Sequence, residues 1–426
     1  MAMLVKSKAA KFFLVMGCMM ALLLVAGGTS IAAEKIIKIG TIFPLTGPAA
    51  VSGQNCLAAV ETAVEIINGK YDWEGFPLAA KEGLLDGYKI VLINTDHQGK
   101  PDIAKSEAER LYEHEGVFAV IGCYNSSSSK PASAVAERIK KIFMCGASSS
   151  AELTERGYNY FFRTAATDAI ESEEFAEYII HLNKEKNADL KTLGLFYENS
   201  EFGKHAADEA KKVAPSMGVT VVVDIPFTVG ATNLNSEIQR LKAANPDIIF
   251  GAALGGDYSL MVRTMKQANW APKIFINYCT GYQNPSIVKE LGADGNFFMG
   301  GMGYSPEIAE VYMKAALPAQ EIYRKKTGFP FDSDAIQEAV CIFVLAQAIE
   351  KAGAVDTEKV VQILRTETFE SPLSLSGQVA FDSPGGQNNK AFTVITQLVD
   401  QEYKTIFPQS YADSELIFPF PAWDKR

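Results

Sequence analysis

Apolar residues recur along this chain in two alternating registers. Ile36 to Phe43, Lys89 to Thr95, Val117 to Gly122 and Ile142 to Cys145 are short apolar runs that read as strands. Between them, Cys56 to Asn68, Asp102 to Glu115 and Pro131 to Lys141 read as helices. In the first of these, Leu57, Val60, Val64 and Ile67 fall three and four apart, on one face. Beyond Arg163-Thr164 the series repeats. It runs as helix Thr167 to Asn183, strand Thr192 to Tyr197, helix Phe202 to Ala214, strand Val219 to Ile225 and helix Leu234 to Ala244. Strand Asp247 to Ala253, helix Tyr258 to Ala268 and strand Lys273 to Asn277 complete it. Such alternation predicts an α/β fold with two successive parallel sheets, each with helices on both faces.

The remaining segments depart from this rhythm. Tyr71 to Gly87, with Gly75, Pro77, Gly83 and Gly87, reads as an enlarged surface loop. Phe297 to Gly300 reads as a crossover strand. Helices from Glu307 to Lys325 and Ser333 to Lys351 are long enough to return to the first half. Gln378 to Phe381 and Phe392 to Val399 read as antiparallel, edge-like strands, and the tail from Ser410 to Arg426 as a surface segment.

The length, 426 residues with 48% hydrophobic, suits two lobes rather than one domain. The first 33 residues form a separate unit. Lys6, Lys8 and Lys11 precede an apolar stretch from Phe12 to Val25, then Gly27-Gly28-Thr29-Ser30 and Ala32-Ala33. This is the pattern of a secretory signal peptide cleaved after Ala33. The apolar run is short for a span of about 20 residues. Lipidation at Cys18 is the other reading, although Cys18 lies inside the apolar core. Processing removes three Lys and no acids, taking the net charge from −10 to −13. A periplasmic or extracytoplasmic acidic protein is expected, with no nucleic-acid partner.

Five cysteines remain: Cys56, Cys123, Cys145, Cys279 and Cys341, without a CxxC pair. No metal site is expected. Cys123 and Cys145 each close a predicted strand and are close enough in the pattern for a disulfide; buried free thiols are the alternative.

Ligands of open parallel sheets bind beyond the C-terminal strand ends. Those ends carry Leu45-Thr46-Gly47-Pro48, Tyr124-Asn125-Ser126-Ser127-Ser128-Ser129 and Gly146-Ala147-Ser148-Ser149-Ser150. The second series carries Glu198-Asn199-Ser200-Glu201-Phe202-Gly203, Leu254-Gly255-Gly256-Asp257 and Tyr278-Cys279-Thr280. Two Ser-rich turns leading into helices offer free backbone N–H groups and hydroxyls, a neutral cradle for a carboxylate; simple helix capping is the alternative use. Enzymatic signatures are missing. There is no GxGxxG after the first strand, no Walker A and no GxSxG. The four His are scattered, and only His97, after a strand end, is a candidate for the site rim. No catalytic residue and no cofactor is expected.

Several segments resemble, in order and spacing, the type I periplasmic solute-binding proteins of the leucine/isoleucine/valine-binding family. They are Ile39-Gly40 with Pro44-Leu45-Thr46-Gly47-Pro48-Ala49, Asp96-His97-Gln98-Gly99, Val120-Ile121-Gly122 and Pro131-Ala132. Glu152-Leu153-Thr154-Glu155-Arg156-Gly157, Phe162-Arg163-Thr164, Phe202-Gly203, Pro246-Asp247 and Phe381-Asp382 continue the series.

The resemblance implies an α/β fold of two Rossmann-like lobes with parallel sheets, joined by a three-crossover hinge near Thr164, Gly300 and Gly386. The lobes would comprise residues 34–164 with 300–386, and 165–299 with 387–426. It implies hinge closure over a small solute and delivery to an ABC permease with cytoplasmic ATPases, by a monomer. A sensory ligand-binding module of the same fold is the competing reading. Of the family's binding positions, the carboxylate-binding serine matches Ser126, beside Tyr124 and Asn125. The carbonyl and hydroxyl positions match Ala147 and Ser149, with Ser148 between them. The second-lobe aromatic matches Phe202, and a second-lobe tyrosine falls near Leu254. The acid that holds an α-ammonium falls near Cys279, which carries no charge. A buried ammonium without a carboxylate partner is costly, so the expected solute is a carboxylate or amide lacking that group. Glu198, Glu201 or Asp257 would have to replace the acid if an amino acid is bound.

Overall fold

The computed structural model describes residues 35–73, 75–278 and 281–426. The signal segment, the Cys18 position and Cys279 lie outside the described residues.

From the N-terminal side the chain runs β1 (Ile36–Phe43), α1 (Ala50–Asn68), β2 (Lys89–Asp96), α2 (Pro101–Glu113), β3 (Ala119–Gly122), α3 (Ser126–Ile139), β4 (Ile142–Cys145), the short α4 (Glu152–Glu155) and β5 (Phe161–Arg163). The five strands form one parallel sheet in the order β2-β1-β3-β4-β5. β3 and β4 are buried along their whole length. This is why their sequences are unbroken apolar runs rather than alternating ones.

The second series follows as α5 (Asp168–Glu185), β6 (Thr192–Glu198), α6 (Glu201–Met217), β7 (Thr220–Phe227), α7 (Asn235–Ala244), β8 (Ile248–Ala252), α8 (Gly255–Gln267), β9 (Ile274–Asn277), α9 (Pro285–Leu291) and β10 (Met299–Met302). Then come α10 (Pro306–Tyr312), α11 (Leu317–Thr327), α12 (Ser333–Ala352), α13 (Thr357–Thr366), β11 (Thr368–Glu370), β12 (Gln378–Ala380), β13 (Val394–Val399) and β14 (Glu402–Phe407). The larger sheet has the order β14-β13-β10-β9-β8-β6-β7, parallel except for β13 and β14. β11 and β12 form a separate antiparallel ribbon.

The chain passes between the two sheets three times. β5 leads to α5, which packs on α6 and β13; β10 leads to α12, which packs on α1, β3 and β4; and the segment after β12 leads to β13. Two of the crossings are tied together. Arg163 N–H donates to Gly386 O at 2.8 Å and Asn388 N–H to Arg163 O at 2.9 Å, while Asn388 Nδ2 reaches Thr164 O at 2.8 Å. The Arg163 side chain is fully buried and donates to Ser148 O, Ser150 O, Thr154 Oγ1 and Gln387 Oε1. Burial lowers its pKa to about 10. Gly386 is required here: its φ is +71°, and a Cβ would lie 1.9 Å from Phe161 O.

Several expectations are corrected. α3 begins at Ser126, five residues before Pro131, so the serine run is the first turn of a helix rather than a loop. The helix expected from Glu307 to Lys325 is broken into α10 and α11. Pro318, near the start of α11, has no N–H to continue the preceding turn. Gly300 lies inside β10 and pairs with Asn277 and Thr396, so the second crossing comes after Met302. β13 is not an edge strand: β14 covers it, and five of its six residues are buried. The turn between them places Asp400 and Gln401 at φ 53° and 65°. The favoured pairs for such a turn end in Gly, and Gln401 stands in that place here. The segment from Tyr71 to Gly87 is more than a surface loop. Trp73, Phe76, Ala79 and Leu84 are buried, and Trp73 and Phe76 set their rings 5.6 and 4.5 Å from that of Phe343 in α12. Cys123 and Cys145 are buried free thiols, as are Cys56 and Cys341.

Candidate functional site

The cleft is built from the strand ends of both sheets. On one side, β3 ends at Gly122 and Tyr124 takes φ +76°, a backbone region rare for a residue with a side chain. Asn125 precedes α3, and its carbonyl accepts the Ser128 and Ser129 N–H groups. Ser126 and Ser127 occupy the first turn, where N–H groups have no intrahelical acceptor and the helix dipole is positive. Both line the cleft.

The next strand end packs beneath. Gly146 permits this packing, because a Cβ there would lie 2.4 Å from Glu338 N in α12. Glu338 Oε1 accepts the Ala147 N–H at 3.1 Å. Burial pushes the Glu338 carboxyl up to about 8, against the lowering effect of the Gly146 and Ala147 N–H groups. Ser149 lines the cleft, and its carbonyl accepts the Asp168 N–H at the start of α5.

The facing wall comes from the larger sheet. Glu198 ends β6; its Oε1 accepts the Ser200 hydroxyl at 2.6 Å and its Oε2 accepts the Leu254 N–H at 3.2 Å. Burial pushes this carboxyl up to about 7. Ser200 caps α6 by accepting the Gly203 N–H. Phe202 and Leu254 supply apolar surface, 5% and 9% exposed.

One pocket therefore collects Tyr124, Asn125, Ser126, Ala147, Ser149, Phe202 and Leu254 from opposite walls. Ser127, Glu198 and Ser200 complete its lining. Ser148 is not part of that lining. It is fully buried, donates to Tyr124 O at 3.0 Å and meets Ser129 Oγ at 2.8 Å, bracing the two turns from behind. Cys279 lies outside the described residues.

Of the three acids considered as substitutes, Glu198 lines the pocket, Glu201 pairs with Lys130 at 3.0 Å, and Asp257 accepts the Gly230 N–H at 2.9 Å. His97 is not at the rim. Its ring is fully buried, held 3.0 Å from Cys123 O and 3.2 Å from Ser128 Oγ, beneath the turn rather than on it. Burial lowers its pKa.

A second cavity adjoins this pocket at Ala147 and runs toward the hinge. Thr164, Gln283, Ser333, Asp334, Gln337 and Thr393 are among its lining residues. The sequence reading missed it. The available signal was Asp334, Gln337 and Glu338 at the start of a helix that is then apolar on every face from Ala339 to Ala346. Among the described residues no group of His, Cys, Asp and Glu could hold a metal ion, and no helix is long and apolar enough to cross a membrane.

Two α/β lobes joined by three crossings, with polar helix starts facing each other across a cleft, define a type I periplasmic binding fold. The periplasmic binding protein family matches residues 36–401, and the chain belongs to that family. The leucine-, isoleucine-, valine-, threonine- and alanine-binding protein of Pseudomonas aeruginosa is 27% identical over 365 residues, covering 86% of this chain and 90% of its own. LivJ of Streptococcus pneumoniae, the substrate-binding protein of a branched-chain amino acid transporter solved with isoleucine, superposes with a TM-score of 0.72. It is 20% identical, covering 90% of this chain and 100% of its own. A solute-binding protein of an ABC transporter from Rhodopseudomonas palustris, solved with 3,4-dihydroxybenzoic acid, gives 0.74 at 20% identity, over 92% and 100% of the two chains.

Proposed function

We propose that this chain is the extracytoplasmic substrate-binding protein of an ABC importer. In this reading it closes about its hinge over a small carboxylate that lacks an α-ammonium and delivers it to a permease. An N-terminal signal peptide cleaved after Ala33 would carry it across the membrane. The first lobe would comprise residues 34–164 with 300–386 and the second 165–299 with 387–426. Gly300 to Met302 are transferred to the second, because they pair within its sheet.

The observation that carries this reading is the start of α3. Ser126 and Ser127 bring a helix N-terminus and hydroxyls into the cleft, opposite the apolar Phe202 and Leu254. Such an arrangement favours an anionic oxygen group on one side and an apolar body on the other. Both oxygens of Glu198, the one candidate acid in the pocket, already accept hydrogen bonds within the wall. An α-ammonium would have to compete for them. The P. aeruginosa relative is named for amino acids and the R. palustris neighbour was solved with an aromatic acid, so both solute classes belong in the test.

The test is a thermal-shift screen of the purified protein against branched amino acids and aliphatic and aromatic carboxylates. A solute that binds only the folded form raises Tm by mass action. Shifts confined to carboxylates without an α-amino group support the reading. Submicromolar leucine or valine binding removes its solute class while leaving the transport role standing. A protein that turns over a bound compound removes the transport role itself.

A further inference from the structure

The hinge cavity has chemistry of its own. Asp334 lines it at 8% exposure, and its carboxylate accepts no hydrogen bond among the described residues. The N-cap role on α12 is already filled by Asp332, which accepts the Ala335 N–H at 2.6 Å. Burial, and then the neighbouring Asp332, Glu171 and Glu338, push the Asp334 carboxyl well above the usual carboxylate range. Among the described residues the side chains acting on it are all acids, and no cation offsets them.

Two further acceptors line the same cavity. Gln337 Oε1 and Gln283 Oε1 have no hydrogen-bond partner among the described residues, and these residues are 8% and 2% exposed. Gln283 is held in place through its other amide atom, Nε2, which donates to Gly301 O at 2.5 Å. Buried polar atoms are satisfied in the great majority of cases, so an unmet pair converging with an uncompensated acid points to a missing donor. Capping and the helix dipole explain an acid in the first turn of α12. They do not explain two orphan amide oxygens from different elements, one on α12 and one before α9, on residues that line the same cavity.

We propose that this cavity receives a protonated amine carried by the ligand, while Ser126 and Ser149 hold its carboxylate. The inference rests on the carboxylate reading above and deepens it. Ala147 borders both the pocket and the cavity, so one molecule reaches both, with its amine and carboxylate on separate carbons. The solute class is then an ω-amino acid, aliphatic or aromatic, with Asp334 as the counter-charge and Gln283 and Gln337 as acceptors. An ammonium has three donors and three acceptors await it. Asp334 is on this view the specificity-determining residue that stands in for the uncharged position at Cys279.

The experiment is calorimetric titration of the purified protein with matched pairs: hexanoate against 6-aminohexanoate, and 4-methylbenzoate against 4-(aminomethyl)benzoate, with leucine and butylamine alongside. The amine should tighten binding by about 10- to 100-fold within a pair, the range of one hydrogen bond to a charged group. Asp334→Asn should bring each pair to within about threefold while raising the unliganded Tm, because it removes a buried carboxyl whose ionisation burial and its acidic neighbours oppose. Gln337→Leu should reduce the preference without that rise. Pairs that bind equally in the wild type, or a preference that survives in Asp334→Asn, overturn the proposal and leave the carboxylate reading intact. Butylamine binding that Asp334→Asn abolishes, with no carboxylate bound, supports the cavity and overturns the carboxylate reading instead. If no amine-bearing probe binds, the proposal is wrong.

Discussion

Lys130, on α3 of the smaller-sheet lobe, and Glu201, at the start of α6 on the other lobe, meet across the cleft at 3.0 Å. The same ammonium reaches Glu152 at 2.7 Å within its own lobe. On the hinge-closure reading, the Glu201 pair would form only with the lobes closed, whereas the Glu152 contact, made within one lobe, would survive opening. Both side chains are partly exposed, so an energy of at most about 1 kcal/mol is expected. Glu201→Gln should weaken ligand binding by about two- to fivefold at low salt. The difference should vanish near 1 M salt, where the screening length is about 3 Å. Titration at the two ionic strengths checks this. Equal affinities at low salt would mean that the pair contributes nothing to closure.

Stability should fall with rising pH, and Glu338 should account for part of the slope. Its carboxyl is raised to about 8, and those of Glu198 and Glu174 to about 7, with burial the leading cause in each. In the unfolded chain all three titrate near 4.3. The folded state thus holds protons that the unfolded state has released. The stabilisation is complete below about pH 4 and is lost as pH rises toward 8. Urea denaturation between pH 5 and 8.5 should show a falling midpoint, flattened in Glu338→Gln, which retains the carbonyl oxygen facing the Ala147 N–H. A midpoint that rises across this window contradicts the assignment.

Phe76→Ala should destabilise the protein by about 3–5 kcal/mol, the cost of emptying a large buried aromatic site. Phe76 is 2% exposed and packs edge-on against Phe343, 4.5 Å away. The solute preference should not change, since this segment lines neither pocket. Denaturant unfolding with a parallel binding assay separates the two effects. A loss below about 0.5 kcal/mol would return the segment to the surface loop that its glycines suggested.

The sequence made the strands and the first wall of the cleft legible for one physical reason. Parallel strands buried on both faces must be apolar runs, and their ends must carry the turn residues that meet a ligand. Ser126, Ala147, Ser149, Phe202 and Leu254 all lie in the strand-end runs that this rule picks out, but it was the family resemblance that singled them out within those runs. What stayed hidden depends on contacts between distant segments. Trp73 and Phe76 look like loop aromatics until Phe343 arrives from some 270 residues later. Ser148 looks like its neighbours until its side chain is seen bonded to Ser129 and Tyr124. His97 sits at a strand end, but Cys123 and Ser128 close over it. Asp334 and Gln337 belong to a helix whose start faces the hinge, and no local pattern announces a hinge.

The central claim is that the start of α3 recognises a carboxylate. The direct measurement is calorimetric titration with the best-binding carboxylate from the screen and with its primary alcohol, in the wild type and in Ser126→Ala. The carboxylate should bind about 100-fold tighter than the alcohol. Ser126→Ala should lose about 10- to 100-fold for the acid, since a hydrogen bond to a charged group is worth roughly 1.5–3 kcal/mol, and little for the alcohol. Equal binding of acid and alcohol, or an acid affinity indifferent to Ser126, would contradict the account.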